Sequence, residues 1–194
     1  GSYTWNVSSL FPGNRYLWRV VSESATPACD DTVDLQFSVK NEALRIYVND
    51  ESTNGDVYCE TPGSIYNTGL SPSSPIISPV TAITNYPIGP GDIIYIDTGR
   101  YSITNTMLFD IERRGESNDA IRVLGSTNQL AGGTVIVGQG VGTLLQMDNT
   151  RYITAENLKF GRGATGVGIR NTTEASLRWV EAFSNSVDGF LVQN

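Results

Sequence analysis

The chain has no histidine. That absence removes the commonest general base, the Ser-His and Cys-His nucleophile pairs, and the commonest zinc ligand. Charge is also scarce, at 17% of residues, and the formal net charge of −7 leaves no basic stripe to meet phosphates. Nucleic acid is therefore excluded as a partner. No apolar run approaches the roughly 20 residues that span a bilayer, so no membrane span is expected. No signal peptide opens the chain: Gly1-Ser2-Tyr3 already enters a strand-like pattern, and any export signal was removed or lies upstream. No long amphipathic helix can be traced. Only two cysteines occur, Cys29 and Cys59. In an acidic, Lys-poor, Thr- and Asn-rich chain they are a disulfide candidate, with two separate thiols as the alternative.

What the 194 residues do contain is turn-rich β-sequence. There are 20 glycines, nine tyrosines and many Ser, Thr and Asn. Residues 3–39 alternate with a period of two: Tyr3, Trp5 and Val7, then Tyr16, Trp18 and Val20, then Leu35, Phe37 and Val39. Leu10 to Asn14 and Pro27 to Asp31 read as the intervening turn and loop. Leu44 to Asn49 reads as a fresh strand, followed by a turn-rich stretch with Pro62, Pro72, Pro75 and Pro79. Ser78-Pro79 ahead of Val80-Thr81-Ala82-Ile83 carries an N-cap and a first-turn proline, predicting one short helix that ends near Tyr86 and covers an open strand end.

From about Pro90 onward short apolar strands follow one another, bounded by Gly, Asn or Asp: Asp92–Asp97, Tyr101–Ile103, Ala120–Gly125, Thr134–Gly138 and Thr143–Met147. An internal repeat supports a coiled stack. Gly166-Val167-Gly168-Ile169-Arg170-Asn171 returns 23 residues later as Gly189-Phe190-Leu191-Val192-Gln193-Asn194, and Tyr152–Leu158 has an echo about 24 residues later at Ser176–Ala182. That is the length of three short strands and three turns. The expected fold is all-β: the opening coils of a parallel β-helix over 90–194, a connecting strand, loop and capping helix over 41–89, and the C-terminal strands of an antiparallel sandwich over 1–40. A single antiparallel sandwich with evenly spaced turns is the alternative.

Two resemblances sharpen this. Tyr3-Thr4-Trp5, Pro12-Gly13, Tyr16–Val20 and Phe37-Ser38-Val39 resemble the last strands of a fibronectin-III or immunoglobulin-like module. Ile46–Asp50, Gly55–Cys59, Asn67–Pro72 and above all Pro90-Gly91-Asp92-Ile93-Ile94-Tyr95-Ile96-Asp97-Thr98-Gly99-Arg100-Tyr101 resemble the start of the pectate-lyase-like right-handed β-helix modules of large prokaryotic surface proteins. The resemblance implies an extracellular or cell-surface location and covers about three quarters of the chain. It does not imply an activity, because that family holds lyases and hydrolases beside adhesive and structural repeats.

Candidate sites are few. Asp50, Ser52, Asn54 and Asp56 have the alternating oxygen spacing of a calcium loop, without a carboxylate at the twelfth position, where Thr61 stands. A polar turn is the simpler reading; otherwise no cofactor is expected. Asp110, Glu112, Glu116 and Asp119 surround Arg113-Arg114 and read as a solvated loop. Trp179 and Phe190 read as core residues within strands. Asn6 and Asn171 head glycosylation sequons. No catalytic set emerges, and an enzyme is not expected. The expected role is an extracellular structural or adhesive module whose partners are other copies or the rest of a longer parent chain, with polysaccharide a further candidate. The alternatives are the N-terminal fragment of a polysaccharide lyase or hydrolase, and a self-assembling filament subunit. The uncovered last coil, ending at Val192-Gln193-Asn194, is the main functional clue.

Overall fold

The computed structural model describes residues 6, 8–10, 12–17, 19–21, 30–32, 37–40 and 42–194. The chain divides into two compact units, one formed by 1–42 with 84–87 and one by 43–83 with 88–194.

In the first unit β1 (Gly13–Tyr16) pairs antiparallel with β4 (Phe37–Val39), and β2 (Arg19–Val21) pairs antiparallel with β3 (Asp30–Thr32). These are two separate two-stranded pairs. The expected loop over Pro27 to Asp31 is corrected at its end, because Asp30 and Asp31 already pair with Val21 and Val20. The strand expected over Tyr3, Trp5 and Val7 lies outside the described residues, as do Trp18, Cys29 and Leu35.

The second unit is wound from parallel strands. It opens with β5 (Arg45–Val48) and the short helix α1 (Pro79–Thr84), where the proline at the helix start lacks the N–H that would be orphaned anyway. Three strands per turn of the chain then follow: β6 (Ile93–Ile96), β7 (Gly99–Ile103) and β8 (Met107–Phe109); β9 (Ile121–Gly125), β10 (Thr134–Gly138) and β11 (Thr143–Asp148); β12 (Arg151–Glu156), β13 (Leu158–Gly161) and β14 (Thr165–Arg170); β15 (Thr173–Arg178), β16 (Glu181–Phe183) and β17 (Asp188–Gln193). Each strand pairs in parallel with its counterpart one turn away. The result is three stacked parallel sheets, β5-β6-β9-β12-β15, β7-β10-β13-β16 and β8-β11-β14-β17, in a β-helix-like arrangement. One short element besides α1 is helical, a single 3-10 turn over Gln129–Ala131.

The core is built as rows of side chains stacked along the winding axis. Ile46, Ile94, Val123 and Ala155 form one row, all with no exposed surface. Ile136 and Phe160 belong to a second, Leu145 and Val167 to a third, and Phe109 and Met147 to a fourth. Fully burying each of these side chains larger than alanine is worth roughly 1.5–3 kcal/mol. Because each coil touches only its neighbours, these rows are what joins one coil to the next.

The corners repeat as regularly as the strands. Asn149, Tyr152, Asn157 and Arg162 are left-handed, and so are Asn171, Glu174, Trp179 and Ser184, each 22 residues further on. The register agrees: Ile153 faces Ala175 and Lys159 faces Glu181 across 22 residues, while Val167 faces Phe190 across 23. The 23-residue repeat of the third sheet is therefore correct. The 24-residue echo is corrected to 22, with one residue gained between β16 and β17. Chain reversal at these corners is tight. A Cβ on Gly125 would stand 2.1 Å from the carbonyl oxygen of Asn157, so only glycine fits beneath the next coil's corner.

Candidate functional site

Two buried aspartates flank β6 and hold its surroundings. Asp92 accepts hydrogen bonds from the N–H groups of Leu44 at 2.7 Å and Gly89 at 2.8 Å. Asp97, with no exposed surface, accepts four: from Val57 at 2.7 Å and Thr98 at 2.8 Å on Oδ1, and from Tyr58 at 2.7 Å and Cys59 at 2.6 Å on Oδ2. A carboxylate held by several backbone donors is a strong, charge-assisted clasp. It fastens the turn-rich loop after β5 onto the first coil. Thr98, Ser126 and Thr134 extend the polar cluster: the hydroxyls of Thr98 and Ser126 lie 2.6 Å apart, the Thr134 hydroxyl donates toward the carbonyls of Ile96 and Asp97, and the Ser126 N–H donates to Thr134 Oγ1 at 2.7 Å.

The calcium candidates lie beside this cluster. Asp50 Oδ1 accepts from the Ser52 N–H at 2.8 Å, and Ser52 Oγ accepts from the Asn54 N–H at 3.0 Å. Asp56 Oδ2 accepts from Asn49 Nδ2 at 2.6 Å. Asp50 and Ser52 thus accept hydrogen bonds from the chain itself in consecutive turns. Among the described residues no group of three or more His, Cys, Asp or Glu is gathered that would hold a metal ion. Two atoms of this loop stand apart among the described residues: Asp56 Oδ1 and Thr61 Oγ1 are buried without a hydrogen-bond partner. Burial pushes the Asp56 carboxyl up to about 6, the Asn49 hydrogen bond opposes that shift, and the charges of Asp97 and Asp50 add to it.

Cys59 is a free, half-buried thiol, so the expected Cys29–Cys59 bridge is not seen among the described residues; Cys29 lies outside them. Burial, reinforced by the Asp97 carboxylate, pushes the Cys59 thiol far up, which keeps it protonated and unreactive. Asn6 and Asn171 are both exposed. In the acidic loop after β8, Arg113 makes a paired contact to both Asp110 oxygens at 3.0 and 3.1 Å, while Glu112, Glu116 and Asp119 are exposed.

The outer face of the long sheet carries Tyr47 and Tyr95 stacked 5.1 Å apart, with Tyr58 tilted against Tyr95. Further along the same face Glu156 sits between Arg122, at 3.7 Å, and Arg178, at 3.9 Å. This carboxylate is compensated from both sides.

The aromatic residues of the last coil are the main correction. Trp179 is not core: it stands at the corner after β15, 78% exposed. It lines a groove of about 580 Å³ with Thr127, Gln129, Asn157, Lys159, Val180 and Glu181. Phe190 continues an inward row, yet is 48% exposed, against 0% for Met107 and Leu145 and 1% for Val167 in the coils before it. Val192 continues the row of Phe109 and Met147, both wholly buried, and is 66% exposed. A signal for Trp179 was present in the sequence: 22 residues before it stands Asn157, a residue type tolerant of left-handed corners.

No protein-family model, curated protein or solved structure matches this chain.

Proposed function

We propose that the chain is an extracellular structural or adhesive module, a segment of a larger surface protein or a subunit of a surface assembly, built on a right-handed, pectate-lyase-like parallel β-helix that follows the end of a fibronectin-III- or immunoglobulin-like sandwich. The observation that carries this reading is the stack of three parallel sheets, whose coils bury their inward rows only against neighbouring coils. β15, β16 and β17 each pair on one side only. Their inward rows end in exposed Phe190 and Val192; the Phe190 row is buried at Met107, Leu145 and Val167, and the Val192 row is buried at Phe109 and Met147 and half-buried at Ile169. An unpaired parallel edge beside an open apolar row is a template for one more coil, whether from the same chain or from another copy. The groups needed to stack are therefore on this surface, and the chemistry it offers is pairing and burial.

The test combines location and association. Antibodies against the chain should label intact producing cells. The 194-residue chain should associate in sedimentation velocity, and F190D with V192D should shift it towards monomer while leaving its far-ultraviolet spectrum unchanged. Alternatively the native protein recovered from the surface fraction should be far heavier than 21.0 kDa. A 21-kDa monomer confined to the cell interior overturns the proposal.

A further inference from the structure

We infer that the groove at the corner between the first and second sheets binds a neutral oligosaccharide, with Trp179 as the stacking platform. The inference rests on the adhesive half of the proposed function and gives it a ligand class. Its starting point is the placement of the tryptophan. The indole sits at a left-handed corner, φ 51°, where bulky residues are outliers, and it is 78% exposed. An Asn at that corner, as at Asn157 one coil earlier, would hold the turn with less strain. Neither backbone nor core requires the indole there; Tyr152, Arg162 and Glu174 hold the same left-handed conformation at other corners, so what sets Trp179 apart is a large apolar ring left in the open beside a groove.

The groove supplies the rest of a sugar site. Thr127 and Gln129 come from the second coil, Asn157 and Lys159 from the third, and Trp179, Val180 and Glu181 from the fourth. The walls facing the indole thus belong to preceding coils, so a further coil stacked on β15–β17 leaves them in place. Three coils at the usual strand spacing span about 10 Å, enough for two pyranose rings. A volume near 580 Å³ lies within the ordinary range for ligand sites.

The polar groups are available. The side chains of Thr127, Asn157, Trp179 and Glu181 make no hydrogen bond among the described residues. Two others are braced: Lys159 Nζ donates to the Gly132 carbonyl at 2.9 Å, and Gln129 Nε2 donates to the Ser126 carbonyl at 3.0 Å. Donors and acceptors of both kinds beside an aromatic face match alternating sugar hydroxyls over an apolar ring face. The charges decide between sugar classes. Lys159 and Glu181 are register partners on adjacent coils, so the groove is formally neutral, and an acidic sugar would meet the Glu181 carboxylate.

The experiment is saturation-transfer NMR with the whole 194-residue chain and cellohexaose, mannohexaose and xylohexaose as probes, with oligogalacturonate as the acidic arm. At least one neutral hexaose should bind at up to millimolar concentration. W179A should weaken binding about tenfold or more, equivalent to 1.4 kcal/mol, with an unchanged melting curve, and W179Y should retain most of it. F190D with V192D should bind sugar like the parent, which separates this site from the stacking face. No binding by any neutral hexaose, equal binding by W179A, or a preference for oligogalacturonate overturns the inference.

Discussion

Asp97 shows how one side chain can hold a whole loop. Its four backbone donors come from Val57, Tyr58, Cys59 and Thr98, and all are satisfied by one carboxylate. An amide in its place offers a single acceptor oxygen and sets an N–H₂ against N–H donors. D97N should therefore cost about 2–4 kcal/mol in urea unfolding, from stranded buried donors. Asp56 has the opposite problem, a buried oxygen without a donor. Its carboxyl is raised from 3.8 to about 6 in the fold, so ionisation works against the folded state. The stabilising contribution of the protonated form is complete below about pH 4 and is lost as pH rises through 6. The parent should thus lose roughly 1 kcal/mol of stability between pH 4 and pH 8 from this group, after allowing for its partial exposure. D56N should flatten that part of the profile, and chemical denaturation at a series of pH values reads it directly. A parent and D56N profile that run parallel would show that Asp56 is not the group responsible.

At the scale of elements, the strands were legible and the corners were not. Asp92–Asp97 and Thr134–Gly138 announce themselves by apolar runs between glycines, and the first becomes β6 and the second β10. Met107–Phe109 carries no such signal, because three residues are too few to show a period, yet β8 carries the wholly buried Met107 and Phe109. In the sequence the echo of Tyr152–Leu158 falls two residues too far along, because apolar residues on both sheet faces align almost as well at 24 as at 22. The strand pairing and the positive φ at Asn157 and Trp179 both fix the register at 22. At a spacing of 24 Trp179 falls inside a strand, whereas at 22 it falls at the corner that lines the groove. The Asp92 and Asp97 clasps lay within the most distinctive motif of the chain, but a buried, hydrogen-bonded carboxylate reads in a sequence like any surface acid. Corner packing makes its own prediction. G125A places a methyl group against the Asn157 carbonyl. It should lower the melting temperature sharply, by the equivalent of 2 kcal/mol or more, whereas alanine at Gly142, where nothing lies within 4 Å, should be nearly neutral.

For the coiled unit taken by itself, stability runs along one axis. Its contacts are between adjacent coils, so it behaves as a short one-dimensional stack. The middle coils have neighbours on both sides, while the last has one. Amide hydrogen exchange should be slowest in β9–β14 and fastest in β15–β17, with protection falling stepwise by coil rather than by sheet. Covering the last coil with a further one, or with a second molecule, should raise its protection towards that of β12–β14. Uniform protection through β17 in the isolated chain would mean that the end face is already closed.

The corner between the first and second sheets has a consequence for how such a chain can diversify. Between β12 and β13 it is closed by Asn157 alone, while between β9 and β10 it holds residues 126–133 and their 3-10 turn, and the strands on either side still meet in register. The scaffold therefore tolerates length changes at this point without disturbing its rungs. Segments of different length grafted there would reshape one wall of the groove and leave the other standing, so a repertoire of recognition surfaces is open to a single unchanging frame.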